Sequence, residues 1–335
     1  MPNCSWSACP VLLVSLLHPL YSQQSASWRD PSPHAVQFVT VDNNVRLEVL
    51  DWGGTGRPIV LLAGGGNTAH IFDDFAPKLT ADYHVYGITR RGFGASGYAA
   101  ADDPADRFGD DVVAAIDALK LNRPVLVGHS LAGAELSSVA NRHPDRVAGL
   151  VYVDAAYSYG FDDGKGADAV EMTKLQGPQP PPPGGADLAS FSALQKYYER
   201  LNGFRFPEAE LRAQRESTPE GAVGKQRDFP GNMMLGTVFL HAKKYTAIPV
   251  PALVIFANPH SQGSWVDDNP DPSVRTAAKA YSEALAALVE RQEKAVENGV
   301  PAAHVITLHG ANHYVFLSNA ADVMREMRAF LTARR

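Results

Sequence analysis

Cysteine and excess positive charge are both scarce in this chain. Its two cysteines, Cys4 and Cys9, lie in the first nine residues, so the remainder has neither a disulfide nor a thiolate. Cysteine nucleophiles and cysteine-ligated zinc are therefore excluded there. Thirty Lys and Arg stand against 36 Asp and Glu, the net charge is −6, and no basic run occurs. Nucleic acid is not expected as a partner.

Long apolar runs are scarce as well. The apolar run at residues 11–20 is too short to cross a bilayer, so no membrane span is expected. The run suits the core of a signal peptide, and the first charged residue is Arg29. We therefore expect residues 1–26 to be a signal peptide and the mature protein to be secreted or periplasmic. A flexible leader on a cytoplasmic protein is the alternative, because no Lys or Arg precedes the run.

What the chain does contain is the composition of a large globular protein. Its 335 residues are 45% hydrophobic and 20% charged, which argues against a disordered, collagen-like or multi-span membrane protein. From residue 35 onward, short β-branched runs alternate with amphipathic stretches, which is typical of an α/β domain with a mostly parallel sheet. The predicted strands are residues 36–41, 45–52, 58–63, 85–89, 124–128, 148–154, 252–257 and 303–308, and the predicted helices include 105–119 and 273–298.

The alternation stops between residues 157 and 249. A Gly- and Pro-rich stretch at 177–185 separates two helical patterns there. So long an excursion predicts a helical cap inserted into a core of residues 35–156 and 250–335, not a loop. Its apolar side chains would enclose a substrate or form the cap's own core; they are Phe191, Leu194, Tyr197, Tyr198, Phe204, Met233, Met234, Leu235 and Phe239.

The segment PVLVGHSLAG, residues 124–133, predicts a nucleophile at Ser130. It leads from a buried strand directly into a helix, and a serine at such a turn has a strained backbone and an exposed hydroxyl. Small residues are needed two before and two after it, and Gly128 and Ala132 are suitable. The helix N-terminus favours negative charge, and the Leu131 amide would face a forming oxyanion. A serine that only caps the helix is the alternative.

These features resemble the α/β-hydrolase family, and the resemblance runs from about residue 35 to residue 331. Residues 59–67 resemble its oxyanion loop, 89–96 its Arg-Gly-x-Gly-x-Ser turn, and 142–151 its path into the sixth strand. The resemblance implies an α/β-hydrolase fold, with a mostly parallel central sheet flanked by helices and a cap between the sixth and seventh strands. It also argues against the family's haloalkane dehalogenases and epoxide hydrolases, which have aspartate at the elbow.

His313 is the predicted base. It lies in a turn just beyond the last predicted strand, where the family places its histidine. A serine hydroxyl needs a neutral imidazole to take its proton during attack. His129 is interpreted as pointing away from the serine, and His260 and His309 as loop and strand-end residues.

The acid is open between two positions. No carboxylate stands at the family's usual offset after strand 252–257. Asp154, at the end of the sixth predicted strand, occupies the alternative position of some relatives and is preferred. Asp267 and Asp268, later in the loop, are the alternatives, and Asp154 could instead be a capping residue. The acid must orient His313 and stabilise its imidazolium form.

Together these residues predict a serine hydrolase that cleaves a small-molecule carboxylic ester or lactone through an acyl-enzyme. The amides of Gly65 and Leu131 would hold the oxyanion, because a glycine loop lets the backbone approach closely. A phosphate cradle is not indicated, since no Gly-Lys-Ser/Thr follows. No cofactor or metal is expected, and the oligomeric state is left open. The alternatives are an amidase, a carbon–carbon hydrolase, a cofactor-free perhydrolase or a non-catalytic ligand-binding protein.

Overall fold

An eight-stranded sheet forms the centre of the molecule. The computed structural model describes residues 28–240 and 243–333, apart from the side chain of Asn43; the predicted signal peptide lies outside these residues. The strands are β1 (Ala35–Thr40), β2 (Arg46–Gly53), β3 (Pro58–Leu62), β4 (His84–Ile88), β5 (Val125–His129), β6 (Gly149–Val153), β7 (Arg215–Ser217), β8 (Val223–Gln226), β9 (Ala252–Ala257) and β10 (Ala303–Leu308).

The strand order in the large sheet is β1-β2-β4-β3-β5-β6-β9-β10. Strand β2 is antiparallel to β1 and β4, and the other neighbours are parallel. Every residue of β5, β6 and β9 is buried, as expected for strands covered on both faces. The predicted fold class is therefore confirmed. The carboxyl ends of β5, β6, β9 and β10 lie at one edge of the sheet, where the candidate site is found.

Helices cover both faces of the sheet. They are α1 (Pro104–Ala118), α2 (Ala132–Arg142), α3 (Ala169–Thr173), α4 (Phe191–Asn202), α5 (Glu208–Gln214), α6 (Asn232–Leu240), α7 (Ser264–Asp267), α8 (Pro272–Gly299), α9 (Val315–Ser318) and α10 (Ala320–Thr332). Alternate residues of β3 belong to two apolar clusters: Val60 packs with side chains of α1, α2 and α8, and Leu61 with side chains of α9 and α10. Period-2 alternation thus builds two cores, one on each face.

The chain between β6 and β9 contains α3 to α6 and the hairpin β7–β8. The sequence predicts helices here. It does not predict the hairpin, because its strands have only three and four residues. This region has an apolar core of its own, made by Phe191, Leu194, Tyr197, Leu201, Leu211 and Val223. We call the segment 157–249 the cap, in keeping with its predicted boundaries.

None of the helices within residues 28–240 and 243–333 is both long enough and apolar enough to cross a bilayer.

Candidate active site

Ser130 occupies a sharp turn between β5 and α2. Its φ is 50°, a left-handed conformation that is strained for a residue with a side chain. A Cβ at Gly128 would approach Leu136 Cδ1 to 2.9 Å, and a Cβ at Gly133 would approach the carbonyl oxygen of Ala155 to 1.9 Å. The turn therefore has no room for a side chain at Gly133.

The imidazole of His313 is hydrogen-bonded to the carboxylate of Asp154. Asp154 directly follows β6, is fully buried and has a φ of 49°. Its Oδ2 lies 2.6 Å from Nδ1 of His313. Its Oδ1 accepts hydrogen bonds from the Tyr157 hydroxyl at 2.8 Å and from the Ala257 amide at 3.1 Å. Because an ionised carboxylate only accepts, Nδ1 carries the proton and the Nε2 lone pair of His313 is free to accept one.

A second histidine shares the same carboxylate. Nε2 of His260, in the loop after β9, lies 2.7 Å from Oδ2 of Asp154. Burial alone would raise the pKa of the Asp154 carboxyl, but His260 and His313 hold it well below its usual range. Burial lowers the pKa of His260, yet the charge of Asp154 outweighs it and raises that pKa above its usual value. The sequence places His260 in a loop but does not predict its contact with Asp154.

The alternative acids lie elsewhere. Asp267 ends the short helix α7 and Asp268 is its C-cap residue, and both are exposed to solvent. Within the described residues, the carboxylate that contacts His313 is that of Asp154. The geometry thus brings Ser130, His313 and Asp154 to one edge of the sheet and leaves Asp267 and Asp268 outside that group.

His129 packs against the base without entering the cavity. Its Nε2 lies 3.0 Å from the carbonyl oxygen of His313, and the centroids of the two rings are 4.7 Å apart. Complete burial, with a smaller contribution from His313, lowers the pKa of His129 to about 3. Its ring is therefore neutral at physiological pH, and its Nε2–H donates a hydrogen bond to the His313 carbonyl. This contact fixes the turn that carries the base.

Gly65 and Leu131, whose amides are the two predicted oxyanion donors, lie next to each other at the elbow. A Cβ built at Gly65 would lie 3.7 Å from Cδ2 of Leu131. Among residues 28–240 and 243–333, neither the Gly65 nor the Leu131 amide donates a hydrogen bond to a protein acceptor. Residues 63–68, which we call the glycine loop, are held by Arg90. Its guanidinium donates hydrogen bonds to the carbonyls of Ala63 at 2.7 Å and Gly64 at 3.2 Å. Both amides are therefore available to a ligand oxygen.

A cavity of about 380 Å³ contains Ser130 and His313. Its other lining residues are Tyr157, Tyr159, Met172, Phe239, His260, Ser261, Gln262, Tyr281, Leu285 and Asn312. Of the apolar cap residues in the sequence analysis, Phe239 lines this cavity, whereas Phe191, Leu194 and Tyr197 belong to the cap's own core. A larger hollow of about 560 Å³ beside it shares His260, Ser261 and Gln262 but does not include Ser130.

Two tyrosines of this cavity are missed by the sequence analysis. Tyr157 binds Asp154, as described above, and Tyr159 lies beside the serine. Burial and the charge of Asp154 raise the pKa of Tyr159, and an interaction with the Ser130 hydroxyl opposes that rise. The available signal is their position, three and five residues after Asp154, at the point where the chain leaves β6.

Comparison with known proteins identifies the family of this chain. A sequence model of the alpha/beta hydrolase family matches residues 59–326. The chain belongs to the alpha/beta hydrolase family. This alpha/beta hydrolase is 35% identical to epoxide hydrolase A of Mycobacterium tuberculosis over 112 residues, 32% of this chain and 35% of that protein. It is 30% identical to the bifunctional esterase/perhydrolase DCH of Acinetobacter calcoaceticus over 123 residues, 35% and 44% of the two chains. Each match spans less than half of the relative's length.

Solved structures agree with this assignment. E-2-(acetamidomethylene)succinate hydrolase superimposes with a TM-score of 0.61 at 16% identity, covering 89% of this chain and 99% of that one. The bromoperoxidase of Bacillus anthracis gives 0.58 at 19% identity, covering 89% and 100%. At such low identities the superpositions show the shared fold. The relatives of this alpha/beta hydrolase are enzymes with differing chemistry, so family membership alone does not specify its reaction.

Proposed function

We propose that this protein is a serine hydrolase that cleaves carboxylic esters or lactones through an acyl-enzyme. The hydrogen bond between His313 and Asp154 carries the proposal, because His313 lines the same cavity as Ser130. A nucleophile, a base and a carboxylate that orients the base are the groups that acyl transfer requires. The similarity to an epoxide hydrolase does not change the proposal, because this chain has Ser130 at the elbow, where the family's epoxide hydrolases have aspartate.

The proposed reaction proceeds in two halves. Ser130 Oγ attacks the ester carbonyl carbon while Nε2 of His313 accepts its proton, and the Gly65 and Leu131 amides donate to the developing oxyanion. When the carbon–oxygen bond breaks, His313 gives that proton to the departing alcohol, and Ser130 is left acylated. Water then attacks the acyl-enzyme with His313 again as base, which releases the acid and restores the serine. Throughout, Asp154 stabilises the transient imidazolium.

The cavity favours a mid-sized substrate with an apolar group. Met172, Phe239 and Leu285 provide apolar wall, while Gln262 and Asn312 offer amide groups for orientation. Ligand cavities of this kind hold an apolar body and fix it with a few polar contacts. We therefore expect hydrolysis of p-nitrophenyl esters to depend strongly on acyl length.

Covalent labelling tests the activated serine directly. A fluorophosphonate should label the wild type and fail to label Ser130→Ala, because only an activated hydroxyl reacts with it. Ser273→Ala is the matched control, since Ser273 is exposed near the start of α8 and does not line the cavity. Hydrolysis of the p-nitrophenyl ester series should fall to background in Ser130→Ala. Undiminished labelling or hydrolysis in that variant would contradict the proposal.

The same residues could serve other acyl chemistry. Three further assays distinguish these alternatives from an esterase. Hydrolysis of anilides would indicate an amidase, cleavage of a carbon–carbon bond a carbon–carbon hydrolase, and peroxide-dependent halogenation a perhydrolase. Faster turnover on any of these than on esters would replace the ester proposal. A ligand-binding protein without catalysis would show no fluorophosphonate labelling at all.

A further inference from the structure

A second cluster of ionisable side chains lies outside the catalytic cavity. Asp30 and His34 lie in the segment before β1, while His70 belongs to the 3-10 helix Ala69–Phe72 and Asp73 is its C-cap residue. One potential ligand atom from each of these four side chains lies within 4.8 Å of the others. We call these four residues the His–Asp cluster. The mechanism above makes no use of it.

The distances within the cluster suit a tetrahedral ion. Oδ2 of Asp30 lies 3.5 Å from Nε2 of His34 and 3.4 Å from Nδ1 of His70. Nδ1 of His70 lies 3.1 Å from Oδ2 of Asp73. Ligands bonded to zinc at about 2.0–2.1 Å in a tetrahedron are roughly 3.3 Å from one another. Three edges of such a tetrahedron are therefore already formed.

One atom at the centre of the cluster lacks a hydrogen-bond partner. Oδ2 of Asp30 is buried and accepts no hydrogen bond from the described residues, although Oδ1 of the same carboxylate accepts one from the Ser32 amide at 2.9 Å. A buried carboxylate oxygen without a partner is costly. It faces one nitrogen of each histidine, His34 and His70, which is the arrangement that a shared cation would satisfy.

The atoms that would not bind the ion already have outer partners. Nδ1 of His34 is 2.8 Å from Oδ1 of Asp73, and the Trp52 indole donates to the same oxygen at 3.2 Å. Nε2 of His70 faces Oε1 of Glu48 at 3.8 Å. A histidine that binds metal generally donates its other N–H to a carboxylate or carbonyl, which fixes its tautomer and orientation. His34 meets this condition, and the other ring nitrogen of His70 faces a carboxylate with which it can form an ion pair.

The charge and burial of these side chains also favour a bound cation. Three carboxylates, those of Asp30, Asp73 and Glu48, surround two imidazoles, and the side chains of His34 and Asp73 are each only 2% exposed. Buried carboxylates need cationic partners. Two imidazole nitrogens with two carboxylate oxygens form a borderline donor set that suits Zn²⁺ better than Mg²⁺ or Ca²⁺.

We propose that Asp30, His34, His70 and Asp73 bind one Zn²⁺ ion through Oδ2, Nε2, Nδ1 and Oδ2, respectively. With four protein ligands the site is closed, so its role is structural. The ion would join the segment before β1 to the 3-10 helix that follows the glycine loop. The proposal is independent of the reaction at Ser130.

Zinc binding by the full chain tests this site. We expect the metal-stripped protein to take up one equivalent of Zn²⁺ in competition with a chromophoric chelator, and Co²⁺ to give the intense visible bands of a tetrahedral site. Asp30→Asn and His70→Gln should each weaken zinc binding at least 100-fold. Glu48→Gln should weaken it about 10- to 100-fold, as outer partners do. His84→Gln is the matched control, since His84 pairs with Asp51 at 2.8 Å outside the cluster.

The variants also separate this site from the catalytic one. Asp154, His260 and His313 form another group with metal-ligand spacing, so His260→Gln is measured beside them. Zinc binding that is lost in His260→Gln but kept in Asp30→Asn would overturn the proposal, as would the absence of stoichiometric binding in the wild type. Circular dichroism of each metal-free variant verifies folding, and a rise in Tm with Zn²⁺ in the wild type but not in Asp30→Asn gives a second readout.

Discussion

The carboxylate of Asp154 accepts hydrogen bonds from four groups: His313, His260, the Tyr157 hydroxyl and the Ala257 amide. A buried carboxylate is tolerated only when its oxygens are satisfied in this way. Two of these donors lie in separate loops after β9 and β10, so Asp154 is the point at which the two loops meet. Its substitution should therefore affect the orientation of His313 more than the packing of the sheet.

Replacing Asp154 by asparagine should lower kcat roughly 10⁴-fold, because an amide does not hold the required tautomer of His313 or stabilise its charged form. Asp268→Asn is the matched control and should stay near the wild-type rate, since Asp268 is exposed at the end of α7. The measurement is p-nitrophenyl ester hydrolysis beside urea unfolding of each variant. A well-folded Asp154→Asn protein with a rate within tenfold of the wild type would remove Asp154 from the proposed triad.

His129 gives a prediction about acid stability. Burial lowers its pKa from 6.5 to about 3, so between these values the unfolded chain binds a proton that the folded chain does not. The free energy of unfolding should then fall by about 1.4 kcal/mol per pH unit as the pH drops below 6.5. His129→Gln should lose this part of the slope. Urea unfolding at several pH values between 6.5 and 4 measures it, and equal slopes for the two proteins would refute the assignment.

At the scale of elements, the turn between β5 and α2 depends partly on its local sequence and partly on a tertiary contact. The sequence predicts the strand, the serine and the need for small neighbours, because these follow from local pattern. It does not predict that Gly133 faces the carbonyl oxygen of Ala155. That contact depends on how the chain leaves β6, which no local pattern encodes.

Gly133→Ala should destabilise the protein by about 1–3 kcal/mol, because its methyl group would lie 1.9 Å from the Ala155 carbonyl oxygen and force the turn to move. Gly236→Ala in α6 is the matched control: its methyl group would meet nothing within 4 Å. A helical Gly→Ala change in open space stabilises by up to about 1 kcal/mol. Thermal and urea unfolding should thus give opposite signs for the two variants. A change in unfolding free energy of the same sign in both variants would show that the turn can adjust to the added methyl group.

The same distinction explains what the sequence analysis finds and misses elsewhere. The buried strands β5, β6 and β9 have continuous apolar runs, so each is predicted close to its observed bounds. The contact of His260 with Asp154 spans 106 residues, and the His–Asp cluster unites segments before β1 and after β3. Such contacts arise from tertiary packing and leave little local signal. The spacing of Asp30 with His34, and of His70 with Asp73, is the only short-range trace of the cluster.

At the scale of the whole molecule, hydrogen bonds to Glu210 connect the cap to the glycine loop. Glu210 of α5 is fully buried and accepts hydrogen bonds from the Asn67 amide at 2.8 Å and from the Thr68 backbone N–H at 3.2 Å. Asn67 in turn accepts a hydrogen bond from the Tyr314 hydroxyl at 3.1 Å. Tyr314 follows the base, so the cap, the oxyanion loop and the base turn share one network. The position of the cap should therefore influence the catalytic geometry.

Glu210→Ala tests this connection. Removing the carboxylate leaves the buried Asn67 and Thr68 donors without their acceptor, which should cost about 1–3 kcal/mol of unfolding free energy. Glu208→Ala on the same helix is the matched control: Glu208 pairs with Arg212 at the partly exposed surface of α5, so its removal should cost less than about 1 kcal/mol. Hydrogen exchange at the Thr68 amide should accelerate in Glu210→Ala and stay unchanged in Glu208→Ala. Equal exchange and equal stability in both variants would mean that the cap is held by its apolar contacts and that Glu210 is dispensable.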